Sequence, residues 1–352
     1  MQLSIGDRVP EIIGATAAGH FYSLDDQAGR PALLVILSAL PPRTVDRVLG
    51  KVRAAAAQIQ QANLDVVPLA TFDSFSGGLG SHPEVEDRIV YVSDAVSLAS
   101  LKLGGEPAAI LIDRTGRVVD LLGLAEGADL SAWLQQAAHR IVAEPSRRCT
   151  SSAPVLIIPN VASASDCEAL IAHFEASPHL PGAMAAFADG AAYAKLDETK
   201  KRRRDIELAP GGPLHDEVVS LIASRVAPEI KRAFQVNIAF SDRILLARYD
   251  DTGGYFKRHR DDAAPHTAFR EFAISLNLNT HEYEGGELLF PEFDDHRYSP
   301  PAGSAIVFSA SLLHEAAPVL KGRRYVLLSF LGGAAAQTKL DAWTRGRASA
   351  SA

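Results

Sequence analysis

The stretch RILLARYDDTGGYFKRHRD at residues 243–261 opens a run of short strand-like segments that continues to residue 332. Apolar residues alternate there with turn signals such as the Gly-Gly pair, which is the pattern of an all-β barrel or sandwich. Within the run, His259 and Asp261 are two residues apart, so alternation along a strand places both side chains on one face. These two side chains could therefore bind one metal ion.

A His-x-Asp pair alone is a weak indication of a metal site, because eleven histidines among 42 acidic residues yield about one such pair by chance. The residues that follow it strengthen the indication, since they add strands, turns and further ligand types. They comprise YEGGELLF at residues 283–290, the apolar strand 304–308, LHE at 313–315 and GRRYVLLSF at 322–330. Gly285 and Gly286 indicate a tight turn rather than a phosphate loop, because no helix start follows them.

The combined motif resembles the prolyl-4-hydroxylase-like branch of the Fe(II)/2-oxoglutarate-dependent dioxygenases, and the resemblance covers roughly residues 153–332. It implies an α+β fold in which a double-stranded β-helix, or jelly-roll, is flanked by helices. It also implies that His259, Asp261 and His314 are the catalytic residues that bind Fe(II). Two imidazoles and one carboxylate leave three coordination positions open, as in non-haem iron oxygenases. The resemblance assigns two of these positions to 2-oxoglutarate and one to O2.

The same resemblance implies a binding site for the distal carboxylate of 2-oxoglutarate. Arg324, ten residues after His314, would pair with this carboxylate, and Tyr249, ten residues before His259, would hydrogen-bond it. A guanidinium suits the role because it presents a fixed fork of donors and stays charged when buried. Arg323 is the competing residue, but adjacent strand residues face opposite sides, and the family spacing selects Arg324.

The function implied by the resemblance is the hydroxylation of an unactivated C–H bond, with 2-oxoglutarate decarboxylated to succinate. The substrate would be a peptide or protein residue, prolyl included, or a small metabolite, because a fold does not identify a substrate. Ascorbate is a further candidate cofactor, and desaturation and ring formation stay open as outcomes. The alternative from another class is a non-catalytic adaptor built from two degenerate enzyme domains.

The first part of the chain predicts a separate α/β domain. An apolar run at residues 32–39 indicates a strand buried on both faces, and a helix at 45–61 and a strand at 64–70 follow it. Together with PAAILIDRTGR, which starts at Pro107, this order resembles a peroxiredoxin of the thioredoxin fold. The resemblance implies a peroxidatic cysteine after the first strand, but no cysteine precedes Cys149. We therefore expect a non-catalytic, thioredoxin-like domain that docks a partner.

The length of 352 residues exceeds what one domain usually holds. A polar stretch that contains proline and serine, without periodicity, indicates a linker between two domains. We expect four segments along the chain. They are a peroxiredoxin-like domain at residues 1–145, a linker at 146–153, an oxygenase domain at 154–335 and a flexible tail at 336–352.

The formal net charge of −7 argues against a general affinity for nucleic acid or anionic membranes, because both need a basic surface. The one basic run, at residues 200–204, is interpreted as a solvated strand edge. Two cysteines are too few for a disulfide framework, and no apolar run reaches membrane-spanning length. Residues 1–8 lack the apolar core of a secretory signal. We therefore predict a cytoplasmic protein that binds neither nucleic acid nor membrane.

Overall fold

The computed structural model describes residues 3–16, 18–37, 40–71, 88–92, 98, 101, 107–141, 148–188 and 191–350. Contacts between Cα atoms divide the chain into two compact units, Met1–Ser146 and Arg147–Ala352. Within the described ranges, no helix is both long and apolar enough to cross a membrane. The predicted linker at 146–153 lies partly outside the described residues, which resume at residue 148.

The N-terminal unit is built on one mixed sheet. Among its described residues the strands are β1 (Ile13–Thr16), β2 (Phe21–Ser23), β3 (Ala32–Ile36), β4 (Asp65–Thr71), β5 (Val90–Val92), β6 (Ala108–Ile112) and β7 (Val118–Gly123), in the spatial order β2-β1-β5-β4-β3-β6-β7. β3 runs parallel to β4 and antiparallel to β6, and β6 and β7 form an antiparallel hairpin. The α-helices described in this unit are Pro42–Ala54, Ala56–Gln61 and Leu130–Ala137, and short 3-10 helices span Asp25–Gln27 and Ala138–Arg140.

Strand β3 lies at the centre of this sheet because both of its faces are apolar. Leu33 and Val35 pack into the core on one side of the sheet, and Leu34 and Ile36 pack into the core on the other. A strand that is buried on both faces is a continuous apolar run in the sequence. The α/β class predicted for this part of the chain therefore agrees with the structure.

The C-terminal unit is dominated by antiparallel strands. Those described are β8 (Leu156–Ile158), β9 (Leu180–Pro181), β10 (Met184–Ala188), β11 (Ala191–Lys195), β12 (Lys201–Arg202), β13 (Arg204–Glu207), β14 (Ile238–Asp250), β15 (Tyr255–His259), β16 (Phe272–Asn277), β17 (Glu284–Gly285), β18 (Leu288–Leu289), β19 (Ala305–Ser309), β20 (His314–Ala316), β21 (Val319–Lys321) and β22 (Arg323–Gly333). A large sheet has the order β8-β19-β16-β22-β14-β13-β9, and a smaller one has the order β12-β15-β20-β18. β10 pairs with β11, and β17 pairs with β21. This arrangement is that of a jelly-roll.

The two faces of the large sheet are covered by different layers. On one face, Leu246 and Leu327 pack against the helices of the unit. On the other face, Tyr249 and Val326 pack against Leu288 of the smaller sheet. Because strand residues alternate between faces, the inner strands β14, β16, β19 and β22 send every second side chain into the space between the two sheets.

Helices flank the large sheet, as predicted. The helix Ala164–Ala176 begins with a capping box, in which the side chains of Ser163 and Asp166 accept each other's backbone N–H. A second helical segment consists of Pro213–Leu221, the π-helical turn Ile222–Val226 and Ala227–Phe234. The wide turn precedes Pro228, whose ring cannot donate the hydrogen bond that a regular helix would need there.

The C-terminal end differs from the flexible tail expected at residues 336–352, since Ala334–Ala350 is a helix. The segment is rich in alanine, which has the highest helix propensity. Its first turn is anchored because Ala336 is fully buried. Gln337 and Asp341, one turn apart, add a side-chain hydrogen bond of 2.8 Å. The helix follows strand β22 directly, and this anchoring is not visible in the composition of the tail.

Candidate metal centre

The three predicted metal ligands lie together at one end of the smaller sheet. His259 at the end of β15 is the cross-strand partner of His314 at the start of β20. Asp261 follows two residues later, and its backbone N–H donates to the carbonyl oxygen of Ala310 at 2.9 Å. One ligand atom from each of the three side chains lies within 4.8 Å of the other two. The arrangement could hold one metal ion.

Both histidines present the same ring nitrogen to the centre. His259 Nδ1 lies 2.8 Å from the carbonyl oxygen of Lys257, and His314 Nδ1 lies 3.0 Å from that of Leu312. A carbonyl oxygen only accepts, so each Nδ1 must carry the proton. Each Nε2 then has a free lone pair, and each lies 3.5 Å from a carboxylate oxygen of Asp261. Backbone contacts of this kind fix the tautomer that a metal-binding histidine needs.

The charges of Asp261 and His314 also suit a cation. Burial raises the pKa of the Asp261 carboxyl, but His314, His259 and Arg270 outweigh that effect and hold this pKa at about 2. Burial is the largest influence on His314 and lowers its pKa to about 4, although Asp261 opposes the shift. At neutral pH the centre therefore offers a carboxylate and a neutral imidazole without first releasing a proton from either.

Aromatic side chains surround the two imidazoles. The ring of Phe256 stacks on His259 with 3.4 Å between centroids, and Phe308 contacts His314 edge-on at 4.7 Å. Phe290, which is fully buried, lies 6.2 Å from His314. These contacts fix the ring orientations and keep water away from one side of the centre.

Arg324 is buried on the face of β22 that looks toward the smaller sheet. Its side chain is 2% exposed, and Nη2 donates to Ser275 Oγ at 3.3 Å and to Asn277 Oδ1 at 3.1 Å. Its Nε is buried without a hydrogen-bond partner. Within the described part of the chain no carboxylate forms an ion pair with it. A buried guanidinium without a counter-ion is costly, so this site fits an anionic ligand.

Tyr249 is the cross-strand neighbour of Arg324 on β14. The guanidinium carbon of Arg324 lies 5.3 Å from the centre of the Tyr249 ring, and Tyr249 is 3% exposed. Arg323, the neighbour that competed for the same role, points the other way, with 57% of its side chain exposed near Asp250. The structure thus brings together Arg324 and Tyr249, the two residues that the family resemblance assigns to one carboxylate.

The sequence reasoning missed a buried charged cluster that joins the two halves of the site, formed by Lys201, Arg203 and Asp205. Arg203 binds Asp205 through two hydrogen bonds of 2.6 and 3.1 Å. Its guanidinium carbon lies 5.7 Å from the ring of Phe256 and 5.6 Å from the ring of Tyr249. Only 4% and 6% of the Lys201 and Arg203 side chains are exposed. The solvated strand edge predicted for residues 200–204 is therefore wrong for these two positions.

A signal for this cluster was available in the sequence. Lys201, Arg203 and Asp205 occur at every second position, the spacing that puts strand residues on one face. Their exposed neighbours, Lys200 and Arg202, occupy the alternate positions. An acidic residue on the same strand face as two basic residues indicates that the opposite charges can form ion pairs and be buried together.

The burial of Lys201 leads to a prediction for the pH dependence of stability. Burial, with a smaller effect from Arg203, lowers the pKa of Lys201 to about 7, although Asp205 opposes the shift. Between this value and the ordinary pKa of about 10.4 the unfolded chain binds more protons than the folded one, so stability rises with pH. We expect the free energy of unfolding of the wild type, relative to Lys201→Met, to increase by about 1–4 kcal/mol from pH 7 to pH 10.

Denaturant unfolding at several pH values measures this difference. The exposed neighbour provides the matched control, because Lys200→Met should give a curve parallel to that of the wild type. Parallel curves for the wild type and Lys201→Met would contradict the prediction.

Gly286 lies directly against the side chain of Arg324, so a larger residue at this position should disturb that arginine. Gly285 and Gly286 both have positive φ, which agrees with the predicted turn. A Cβ at Gly286 would lie 2.9 Å from Arg324 Cδ and 3.0 Å from Val319 Cγ2. At Gly253, which also has positive φ, a Cβ would meet only Arg202 Nη1, at 3.9 Å.

Both alanine substitutions carry the cost of a left-handed conformation, about 1–2 kcal/mol. Only Gly286→Ala should also displace Arg324 and weaken the binding of 2-oxoglutarate to the metal-loaded protein, by about tenfold. Calorimetric titration and denaturant unfolding of Gly286→Ala and Gly253→Ala separate the two effects. Equal affinities of the two variants for 2-oxoglutarate would show that the close packing of Gly286 against Arg324 does not affect ligand binding.

Comparison with known proteins agrees with these observations. Residues 244–332 match the family model of the 2OG-Fe(II) oxygenase superfamily. A PKHD-type hydroxylase of Picosynechococcus sp. is 31% identical over 119 residues, which are 31% of this chain and 54% of that protein. A PKHD-type hydroxylase of Paraburkholderia phymatum is 29% identical over 182 residues, covering 48% and 74% of the two chains. The chain thus spans about half the length of the first relative.

Among solved structures, a prolyl-4-hydroxylase of Pseudomonas putida is 20% identical, with a TM-score of 0.40, and the similarity covers 52% of this chain and 94% of that one. The segment matched by the family model contains all five predicted site residues, which are Tyr249, His259, Asp261, His314 and Arg324. The candidate site therefore lies within the segment that is similar to the 2OG-Fe(II) oxygenase superfamily.

Proposed function

We propose that this protein is an iron- and 2-oxoglutarate-dependent dioxygenase that hydroxylates an unactivated C–H bond. The observation that carries the proposal is the convergence of His259, Asp261 and His314 within 4.8 Å, beside a buried Arg324 whose Nε has no hydrogen-bond partner among the described residues. A barrel with a purely structural role needs neither the three converging side chains nor the buried guanidinium. Burying these polar groups costs free energy unless a ligand compensates it.

The five site residues would divide the work between two ligands. His259, Asp261 and His314 would hold Fe(II) on one face, and Arg324 and Tyr249 would bind the distal carboxylate of 2-oxoglutarate. Together with O2, the bound metal and co-substrate supply the oxidation, in which 2-oxoglutarate is converted to succinate and carbon dioxide while one oxygen atom enters the substrate. The donor set fits these two ligands, since it comprises one carboxylate, two imidazoles, one guanidinium and one phenol hydroxyl.

The remaining contribution of the protein is orientation and exclusion of water. The backbone carbonyls of Lys257 and Leu312 fix the ring tautomers of the two histidines. Phe256 covers one imidazole, and Phe308 contacts the other edge-on. Ser275 and Asn277 hold one nitrogen of Arg324 and leave its Nε for a ligand. These contacts preorganise the site before either ligand binds.

An anaerobic titration with Fe(II) and 2-oxoglutarate tests the proposal. The wild type should develop the weak visible charge-transfer band of the iron–2-oxoglutarate chelate. The band should be absent from His259→Ala and should require more 2-oxoglutarate in Arg324→Ala. A folded wild type with neither bound iron nor a band would contradict the proposal and favour the adaptor function.

We also propose that the substrate is a peptide or protein residue, prolyl included, or a small metabolite. The proposal is supported by the similarity to PKHD-type hydroxylases, whose names state a hydroxylase activity. Candidate substrates can be screened by succinate formation, with ascorbate present to test whether it sustains turnover. A substrate that gains one oxygen atom by mass spectrometry, in step with succinate, would establish the reaction.

For the N-terminal unit we propose a thioredoxin-like fold that docks a partner without redox chemistry. Support comes from the parallel β3 and β4 beside the antiparallel β6 and β7, and from the absence of any cysteine before Cys149. Removal of residues 1–145 should then reduce turnover of a protein substrate. Unchanged folding and turnover in the shortened chain would contradict this proposal.

A further inference from the structure

Arg203 lies outside the segment matched by the oxygenase family model and makes a three-way contact in the wall of the site. Nε and Nη2 bind the two carboxylate oxygens of Asp205 at 2.6 and 3.1 Å. Nη1, the remaining nitrogen, donates to the hydroxyl oxygen of Tyr249 at 3.0 Å. The side chain is 6% exposed. A rigid planar fork that is held on one edge by a carboxylate therefore presents a fixed donor on its other edge.

This contact determines which way the Tyr249 proton can point. A phenol has one proton to donate, and a guanidinium has no acceptor, so Tyr249 must be the acceptor in its bond to Arg203. Its own O–H is then directed away from Arg203 toward another acceptor. Among the described residues that hydroxyl has no second hydrogen bond, so the proton is available to a ligand.

A second unsatisfied donor lies on the neighbouring strand. Arg324 is paired with Tyr249 across β14 and β22, and its guanidinium carbon lies 5.3 Å from the tyrosine ring. Arg324 Nε is buried without a partner. Two free donors, one of them charged, converge on one small region. An acceptor with two oxygens and a negative charge satisfies both of them.

We propose that Arg203 is a positioning residue that aims the Tyr249 hydroxyl at the distal carboxylate of 2-oxoglutarate. The inference rests on the proposed function, because it takes 2-oxoglutarate as the ligand of Arg324. Asp205 fixes the orientation of the Arg203 guanidinium. Lys201 Nζ lies 3.2 Å from Asp205 Oδ2 and holds that carboxylate in turn. The effect of Arg203 must therefore act through Tyr249 and must depend on the distal carboxylate.

Binding to the Mn(II)-loaded protein, measured by calorimetry without O2, tests the inference with two 2-oxo acids. 2-Oxoglutarate carries the distal carboxylate, and 2-oxopentanoate lacks it. The variant is Arg203→Met combined with Asp205→Asn, which removes both members of the Arg203–Asp205 ion pair, while Lys201 keeps its hydrogen bond of 2.8 Å to the carbonyl oxygen of Ala183. Its Kd for 2-oxoglutarate should rise about two- to tenfold, which is the cost of ordering a freed side chain. Its Kd for 2-oxopentanoate should not change.

Tyr249→Phe should raise the Kd for 2-oxoglutarate by about tenfold or more, since it removes a hydrogen bond to a charged group. In the Tyr249→Phe background the changes at positions 203 and 205 should have no further effect. Arg248→Met is the matched control, because Arg248 is also a buried arginine, paired with Glu175 at 2.8 Å. It should change the affinity for neither acid.

Equal weakening of both acids, or an undiminished effect in the Tyr249→Phe background, would overturn the inference. If the double variant does not fold, Arg203→Lys replaces it, since a single ammonium cannot bind both Asp205 oxygens and the hydroxyl. An unchanged Kd for 2-oxoglutarate in folded Arg203→Lys would also overturn it. Failure of the proposed function is distinguishable, because the wild type itself would then bind neither acid.

Discussion

Asp261→Asn is expected to abolish turnover and to weaken the binding of Fe(II) or Mn(II) by more than about 100-fold. Loss of a residue that merely orients a metal ligand typically costs 10–100-fold in affinity, and Asp261 is itself a candidate ligand. It also supplies the only negative charge among the three residues that converge within 4.8 Å. Without it the metal would meet two neutral imidazoles.

The effect on metal binding can be separated from an effect on folding. Mn(II) at 100 times its Kd should stabilise the wild type by about 2.7 kcal/mol, and a 100-fold higher Kd reduces this gain to about 0.4 kcal/mol. Thermal unfolding with and without Mn(II) measures both gains. Asp262→Asn is the matched control, because its carboxylate accepts a hydrogen bond from Ser311 and is not among the three converging ligands. A metal-induced shift that survives in Asp261→Asn would contradict the assignment.

The sequence predicted the parts of this site that depend on strand alternation. Alternation puts Arg323 and Arg324 on opposite faces of the strand, the family spacing selects Arg324, and the structure exposes the first and buries the second. Alternation also predicted that His259 and Asp261 share one face, although β15 ends at His259 and Asp261 lies in the turn that follows. His314 required the family resemblance, since no local pattern brings it to a strand more than 50 residues earlier in the chain.

The burial of Lys201 and Arg203 could not be predicted from charge alone. A basic run is usually solvated, and these residues are buried because Asp205 and Tyr249 satisfy them. Tyr249 lies 46 residues further along the chain. The cost of burying a charge depends on such partners. The spacing of Asp205 is visible in the sequence, but the contact with Tyr249 depends on the pairing of β13 with β14, which the sequence does not show. Polar pairing between distant segments was therefore the weak point of the sequence reasoning.

Arg324→Met is expected to raise the Kd for 2-oxoglutarate by about 30-fold to a few thousandfold, the effect of removing one partner of a buried charge pair, 2–5 kcal/mol. The stability of the ligand-free protein should not fall by a comparable amount. In that state Arg324 is a buried cation whose Nε has no partner, and its replacement by an apolar side chain of similar length removes an uncompensated charge. The change would leave two neutral acceptors, Ser275 Oγ and Asn277 Oδ1, without the hydrogen bond from Arg324.

The neighbouring arginine provides the matched control. Arg323→Met changes the same residue type on the same strand, but its side chain is 57% exposed and lies 3.7 Å from Asp250. An exposed ion pair contributes at most about 1 kcal/mol, so this variant should bind 2-oxoglutarate as the wild type does. If Arg323→Met lost affinity and Arg324→Met kept it, the assignment of the two arginines would be reversed. Because the two expected effects of Arg324→Met differ so widely, calorimetry and denaturant unfolding of the same samples separate a ligand-binding arginine from a structural one.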